Sequence, residues 1–112
     1  MLASVDMYDI KMDSWWKPPI QVPALNQGRT YHASCCVGDF CYVGCGWSSS
    51  DRLHTLERIN VAELLIWGSH GVAWEMLTIA NHEMLSPRCN VSMSAINANQ
   101  LILFGGHNDG GD

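Results

Sequence analysis

Positive charge is scarce in this sequence, and long apolar runs are missing. Six Lys and Arg residues stand against eleven Asp and Glu residues, so the formal net charge is −5. The basic residues are scattered, whereas a nucleic-acid surface needs clustered Lys and Arg to neutralise phosphates. The apolar run at residues 64–67 is far shorter than the roughly 20 residues that cross a bilayer. We therefore expect neither a nucleic-acid nor a membrane partner.

A secretory signal is also missing from the first residues. Residues 1–6 contain neither a basic stretch nor an apolar core of the kind that targets a chain for export. The chain has five cysteines, an odd number that does not indicate a disulfide framework. Both features predict a reducing, cytoplasmic location.

The cysteines lack the C-x-x-C spacing that is common in zinc sites. Possible ligands are Cys35, Cys36, Cys41, Cys45, His32 and His54. In a strand, alternation sends Cys35 and Cys36 to opposite faces, which divides this set. We therefore expect no metal and no cofactor, and we interpret the cysteines as small apolar residues that fill tight space in the core.

What the sequence does have is a long internal repeat. Arg29 and Arg88 lie 59 positions apart, and each precedes a predicted hairpin. The hairpins end at Gly46 and Gly106, which lie 60 positions apart. The extra residue falls in the hairpin turn, where insertions are tolerated best.

A second element occurs twice as well, and both elements read as β-structure. Residues 5–10 match residues 56–61 in pattern, and each copy is followed by tryptophan, at position 15 or 16 and at position 74. A two-residue Gly-Asp turn at positions 38–39 predicts a hairpin between flanking apolar runs. Residues 62–67 have helical propensity, but we expect them to extend a strand and to lead irregularly to Trp74.

In this order, the residues resemble the Kelch repeat. That family pattern has an Arg, a hairpin that ends in Gly-Gly, a strand with an aromatic and an acidic residue, and a Trp. Arg88, Gly105 and Gly106 match it well, and Arg29 and Gly46 match it with Cys45 in place of the first glycine. The remaining matches are His32 and Tyr42 in the first hairpin, Tyr8 and Asp9, the weaker copy Ile59 and Asn60, and the tryptophans Trp15 or Trp16 and Trp74.

The resemblance implies an all-β fold that is part of a β-propeller with antiparallel four-stranded blades. Residues 1–28 would supply the outer strands of one blade, residues 29–80 a complete blade, and residues 81–112 the inner strands of a third. A closed propeller has four to eight blades, so we expect the chain to be a fragment or to be completed by other copies. With neighbouring blades present, the expected buried residues are Val43, Trp74, Leu101, Leu103 and Phe104.

The repeated residues are interpreted as structural, since a unique active site needs a residue only once. This signature comprises Arg29, Gly46, Trp74, Arg88, Gly105 and Gly106. We expect the two guanidinium groups to bond backbone carbonyls or an acidic side chain. Binding residues are expected in the two loops that follow equivalent strands, namely Trp47, Ser48, Asp51, Arg52, His107, Asn108 and Asp109.

Three functions compete at this point. The resemblance implies a protein-interaction module, acting as a scaffold or as a substrate receptor. The alternatives are part of a Kelch-like enzyme of the oxidase, isomerase or lyase type, and a structural subunit of a large assembly. No catalytic residues are suggested by the order of residues, and fold by itself does not separate these classes.

Overall fold

A computed structural model describes residues 3–16, 21–49, 52–77 and 87–107 of the chain. The described part is mostly β, with antiparallel strands and one short α-helix. The predicted all-β class is therefore confirmed. No helix among the described residues is long and apolar enough to span a membrane.

Eight strands and one helix follow each other in the part of the chain that the structure describes. They are β1 Tyr8–Asp9, β2 Ser14–Trp15, β3 Ala33–Val37, β4 Phe40–Gly44, β5 Leu56–Asn60, α1 Val61–Trp67, β6 Glu75–Met76, β7 Cys89–Asn97 and β8 Gln100–His107. A short 3-10 turn, Gly68–His70, follows α1. The strands form three sheets of two, four and two strands, in the orders β1-β2, β3-β4-β5-β6 and β7-β8.

Both predicted hairpins are present. Val37 pairs with Phe40 across the Gly38–Asp39 turn, and Gly38 adopts a positive φ of 56° that suits glycine. In the second hairpin, Asn97 pairs with Gln100, and the amide of Asn99 donates to the side-chain oxygen of Asn97 at 2.8 Å. Asparagine thus closes this turn by bonding the backbone two residues further on.

The expectation for residues 62–67 is wrong, because they form most of helix α1. Asn60, the last residue of β5, caps this helix by accepting a hydrogen bond from the backbone N–H of Glu63 at 3.0 Å. Leu64 is 2% exposed and packs into the core, whereas Leu65 and Trp67 are exposed. One cap and one buried leucine hold these residues as a helix despite the strand that precedes them.

The four-stranded sheet has a core on each face. On one face, Val43 and Ile59 pack with residues of other segments; this cluster is Val22, Val43, Ile59, Leu64, Val72 and Trp74. On the other face, Ala33 and Cys45 pack with Val91 of β7, and Met93 and Leu103 join them. The sheet therefore lies between the segment that carries β1 and β2 and the β7–β8 hairpin.

The residues expected to be buried beside neighbouring sheets divide between these layers. Val43 and Trp74 are buried. Leu101 and Leu103 are half-buried, and Phe104 is 55% exposed on the outer face of β7–β8. Burial of Phe104 requires another layer against that face.

The interpretation of all five cysteines as packing residues is wrong for two of them. The hairpin register sets Cys36 opposite Cys41, and the two form a disulfide with Cα atoms 4.1 Å apart. Cys36 is exposed, whereas Cys45 and Cys89, which form no disulfide, are buried and fit the prediction. Because disulfides are typical of oxidising compartments, the cytoplasmic location stays a prediction.

Thiol counting is expected to detect this disulfide. Of the five cysteines, Cys35, Cys45 and Cys89 form no disulfide, so alkylation in denaturant without reductant should label three thiols. Reduction before alkylation should raise the number of labels to five, read by intact mass. Five labels without reduction would show that Cys36 and Cys41 are free in the protein.

Candidate functional site

Arg29 lies at the centre of a buried polar network. Its Nη1 donates to the carbonyl oxygens of Cys45 and Thr55, at 3.0 and 2.9 Å, and its Nη2 donates to Glu57 Oε2 at 2.9 Å. The side chains of Arg29 and Glu57 are both 0% exposed. The hydrogen bonds expected for Arg29 are thus present, and they join the start of β3 to β5.

The carboxylate of Glu57 also holds the backbone that leads to Arg29. It accepts hydrogen bonds from the N–H groups of Asn26 and Gln27, at 2.7 and 3.2 Å. Trp74 adds a bond from its indole Nε1 to the carbonyl oxygen of Pro23 at 2.9 Å. These contacts assign Arg29, Glu57 and Trp74 a structural role in joining segment 23–29 to the four-stranded sheet.

The second arginine of the repeat makes a comparable contact in its own hairpin. Arg88 Nη1 donates to the carbonyl oxygen of Gly105 at 3.5 Å, as Arg29 does to Cys45 at the equivalent position. Its backbone N–H donates to the carbonyl oxygen of Leu53 at 3.0 Å. Arg88 thereby links the β7–β8 hairpin to the residues that follow the Trp47 loop.

The glycines at the hairpin ends are required by close backbone packing. Gly46 has a φ of +105°, and a Cβ there would lie 2.7 Å from the carbonyl oxygen of Thr30. Gly106 has a φ of +81°, and a Cβ there would lie 2.6 Å from the carbonyl oxygen of Cys89. Gly105 also has a positive φ, and Cys45 takes up a φ of +57° at the corresponding place. The structural interpretation of these glycines agrees with this geometry.

Trp47 begins the loop that is the candidate binding surface. Its backbone exchanges two hydrogen bonds with Thr30, at 3.0 and 2.7 Å, so the start of the loop is anchored to the chain before β3. The guanidinium carbon of Arg52 lies 5.2 Å from the centroid of a Trp47 ring, within the range of a cation–π contact. The indole is half-buried, so one part packs on the protein and the other faces solvent.

The predicted loop surface is described only in part. Ser48 is half-buried beside Trp47, and Asp51 lies outside the described residues. His107 is the last residue of β8, and Asn108 and Asp109 lie outside the described residues. The structure therefore brings together Trp47, Ser48 and Arg52, and whether the second loop lies beside them stays a prediction.

The thiols of Cys45 and Cys35 are poorly suited to nucleophilic chemistry. Burial raises the pKa of Cys45, although the nearby charges of Arg88 and Arg29 oppose this effect, and burial also raises the pKa of Cys35. A raised pKa leaves less of the reactive thiolate at neutral pH. Within the described ranges, no three His, Cys, Asp or Glu side chains converge as a metal site would require.

Acidification is expected to destabilise the folded chain through His32. His32 is exposed on its outer side, but neighbouring protein atoms still remove part of the water around its imidazole, and this desolvation, followed by the charge of Arg29, lowers its pKa from 6.5. The unfolded chain then binds the proton more readily, so stability falls as pH drops through 6.5 and levels off below the folded-state pKa. His32→Gln should weaken this dependence in urea unfolding at about pH 7.5 and about pH 5.5. If the variant lost as much stability between these two pH values as the wild type, the dependence would not come from His32.

Sequence reasoning missed Glu57, the residue that completes the Arg29 network. It lies at the second position of segment 56–61, and Asp6 lies at the second position of the matching segment 5–10. An acidic residue in both copies was the available signal. Its partner was not evident, because Arg29 and Glu57 are brought together only by the pairing of β4 with β5.

Comparisons with known proteins add no relative to this description. No protein-family model matches the chain, and no curated protein matches it. The Kelch resemblance therefore depends on the repeated residues of the sequence.

Proposed function

We propose that this chain is a segment of a Kelch-type β-propeller and serves as a protein-interaction module. The order of two-, four- and two-stranded antiparallel sheets supports this, because it matches half a blade, a full blade and half a blade. Two residues of the repeat signature are also held against the four-stranded sheet: Arg29 pairs with Glu57 of β5, and the buried Trp74 comes directly before β6. Further blades of the same polypeptide or other copies would complete the ring.

The observation that carries a binding role is the Trp47–Arg52 pair at the loop after β4. Tryptophan and arginine are the residues most enriched in the energetic centres of protein interfaces. Here the indole is half-buried and its backbone is anchored to Thr30, so binding would order few further degrees of freedom. The neighbouring Ser48 supplies a polar rim.

A comparison of two tryptophans tests this function. Trp47→Ala and Arg52→Ala are expected to weaken the complex with a bound protein by about 30-fold or more, which corresponds to at least about 2 kcal/mol at an interface centre. Trp67→Ala is the matched control, because Trp67 is 63% exposed on α1 and lies outside the loop.

The measurement has two steps. Proteins that co-purify with the wild-type chain are identified, and the affinity of each purified candidate is then measured by calorimetry for the wild type and the three variants. Equal weakening by Trp67→Ala, or full affinity in Trp47→Ala, would overturn the assignment of the loop. Circular dichroism of each variant establishes that the fold is retained.

A further inference from the structure

A cavity of about 680 Å³ lies beside β3 and β4, next to the segment that precedes β1. Val5 and Leu25 line it on one side, and His32, Ser34 and Val43 line it on the other. His32 and Ser34 are exposed there. The cavity is therefore a gap between the N-terminal segment and one face of the four-stranded sheet.

The internal repeat of the sequence indicates which surface would pack in this gap. Ser34 corresponds to Met93, 59 positions later, and Val43 corresponds to Leu103, 60 positions later. In the β7–β8 hairpin, Met93 and Leu103 face the four-stranded sheet and pack against its Ala33–Cys45 core. The face of β3–β4 that borders the cavity is therefore equivalent, by the repeat, to the inner face of β7–β8. That inner face packs against a sheet, so the cavity-facing side of β3–β4 is expected to do the same.

The opposite, outer face of β7–β8 is an apolar surface of the kind that would pack against the cavity side of β3–β4. Ile102 and Phe104 are 44% and 55% exposed, and Ser92, opposite Phe104, is exposed as well. Their repeat equivalents, Tyr42, Gly44 and Ala33, lie on the face of the four-stranded sheet that packs against β7–β8. Among the described residues, the outer face of β7–β8 and the cavity have no sheet packed against them, and together they are the two halves of a contact that the chain already makes once.

The exposed edges of β8 and β1 also correspond, by the repeat, to two strands that pair elsewhere in the chain. Among the described residues, β8 pairs only with β7 and β1 pairs only with β2. In the four-stranded sheet, β4 pairs with β5, and segment 5–10, which contains β1, matches the segment of β5. A β8–β1 pairing would repeat the β4–β5 pairing and remove both edges.

Charge agrees with this pairing. Arg29 and Glu57 form the buried ion pair of the β4–β5 joint, and their repeat equivalents are Arg88 and Asp6. Asp6 is exposed and carries the charge that Arg88 would meet across a β8–β1 joint.

We propose that the β7–β8 hairpin of one copy of the chain inserts into the cavity of a second copy, pairing β8 with β1. Ile102 and Phe104 then face the second copy's β3–β4 surface, and Arg88 meets its Asp6. The occupant is a second copy, because the chain's own hairpin is already packed on the opposite face of its four-stranded sheet. This contact is heterologous, so it extends head to tail or closes as a ring. It rests on the proposed propeller and specifies how other copies would complete it, through sheet faces rather than through the Trp47 loop.

Charge reversal provides the test, read by sedimentation velocity of the whole chain over a concentration series. The wild type should associate. Asp6→Arg and Arg88→Glu should each weaken association about tenfold or more, because each leaves two like charges at the joint. An equimolar mixture of the two variants should associate again, since the charges introduced in the two chains are opposite in sign and meet at the joint. Glu63→Arg, on the exposed face of α1, is the control and should behave as the wild type.

Phe104→Ser keeps the test decisive if Arg88→Glu fails to fold, because Phe104 is exposed in the single copy. It should weaken association while leaving the circular dichroism spectrum unchanged. A wild type that stays monomeric, association that is insensitive to Phe104→Ser, or folded single-charge variants that do not recover on mixing would each overturn the proposal. Trp47→Ala should leave association unchanged, so failure of this contact is distinguishable from failure of the binding loop.

Discussion

Glu57→Gln is expected to destabilise the folded chain by about 3–5 kcal/mol, because it leaves the charge of Arg29 buried without its counter-ion. Both side chains are 0% exposed, so solvent cannot replace the lost carboxylate. The substitution also weakens the acceptors for the N–H groups of Asn26 and Gln27. Urea unfolding followed by circular dichroism measures the loss as a lower midpoint at an unchanged slope.

The exposed pair of the same sheet is the matched control. Arg58 Nη2 lies 3.4 Å from Glu75 Oε1, and the two side chains are 31% and 58% exposed. Glu75→Gln is therefore expected to lower the free energy of unfolding by only about 0–1 kcal/mol. Arg29→Met combined with Glu57→Leu should cost less than the sum of the two single changes, since no charge is then left unpaired. A loss below about 1 kcal/mol for Glu57→Gln would show that the network does not support the fold.

Trp74→Ala is expected to destabilise the chain by about 3–5 kcal/mol, the range for removing a large buried aromatic side chain. Trp74 is 7% exposed and packs in the core that Val43, Ile59 and Leu64 share. Its indole also donates to the carbonyl oxygen of Pro23, which would lose this donor. The loss is again measured as the change in unfolding free energy in urea.

Two further variants separate packing from hydrogen bonding. Trp74→Phe keeps most of the apolar volume and loses the indole N–H, so it should cost about 1–3 kcal/mol. Trp67→Ala removes an indole that is 63% exposed, and it should change stability by no more than about 0.5 kcal/mol. If Trp74→Ala cost as little as Trp67→Ala, Trp74 would not be a residue that stabilises the core.

Much of the strand arrangement was accessible from local signals. The Gly38–Asp39 turn specified the register of β3 and β4, because a two-residue turn leaves one way to pair the flanking residues. The 59- and 60-residue offsets then predicted a second hairpin of the same kind, which β7 and β8 form. The repeated arginine was interpreted as structural because it occurs twice, and Arg29 and Arg88 do bond backbone carbonyl oxygens at equivalent positions.

Other features depended on contacts between segments distant in the sequence. Residues 61–67 form a helix because Asn60 caps it and Leu64 enters a core built by Val22, Val43 and Trp74. The Asn60–Glu63 spacing was a visible capping signal, but the strand pattern just before it favoured the other interpretation. The disulfide follows from the register that the Gly38–Asp39 turn sets, because this register places Cys36 directly opposite Cys41.

The sequence by itself determined the all-β class, the two hairpins and the residues that repeat, since turns and strand alternation are local properties of the backbone. Only the tertiary structure decided that Glu57 is the partner of Arg29, and that Trp47 lies under Arg52. It also decided which face of each hairpin is covered, leaving Phe104 outward and a cavity beside Val43. Such features depend on how sheets stack, and stacking is set by long-range packing that no local pattern of residues encodes.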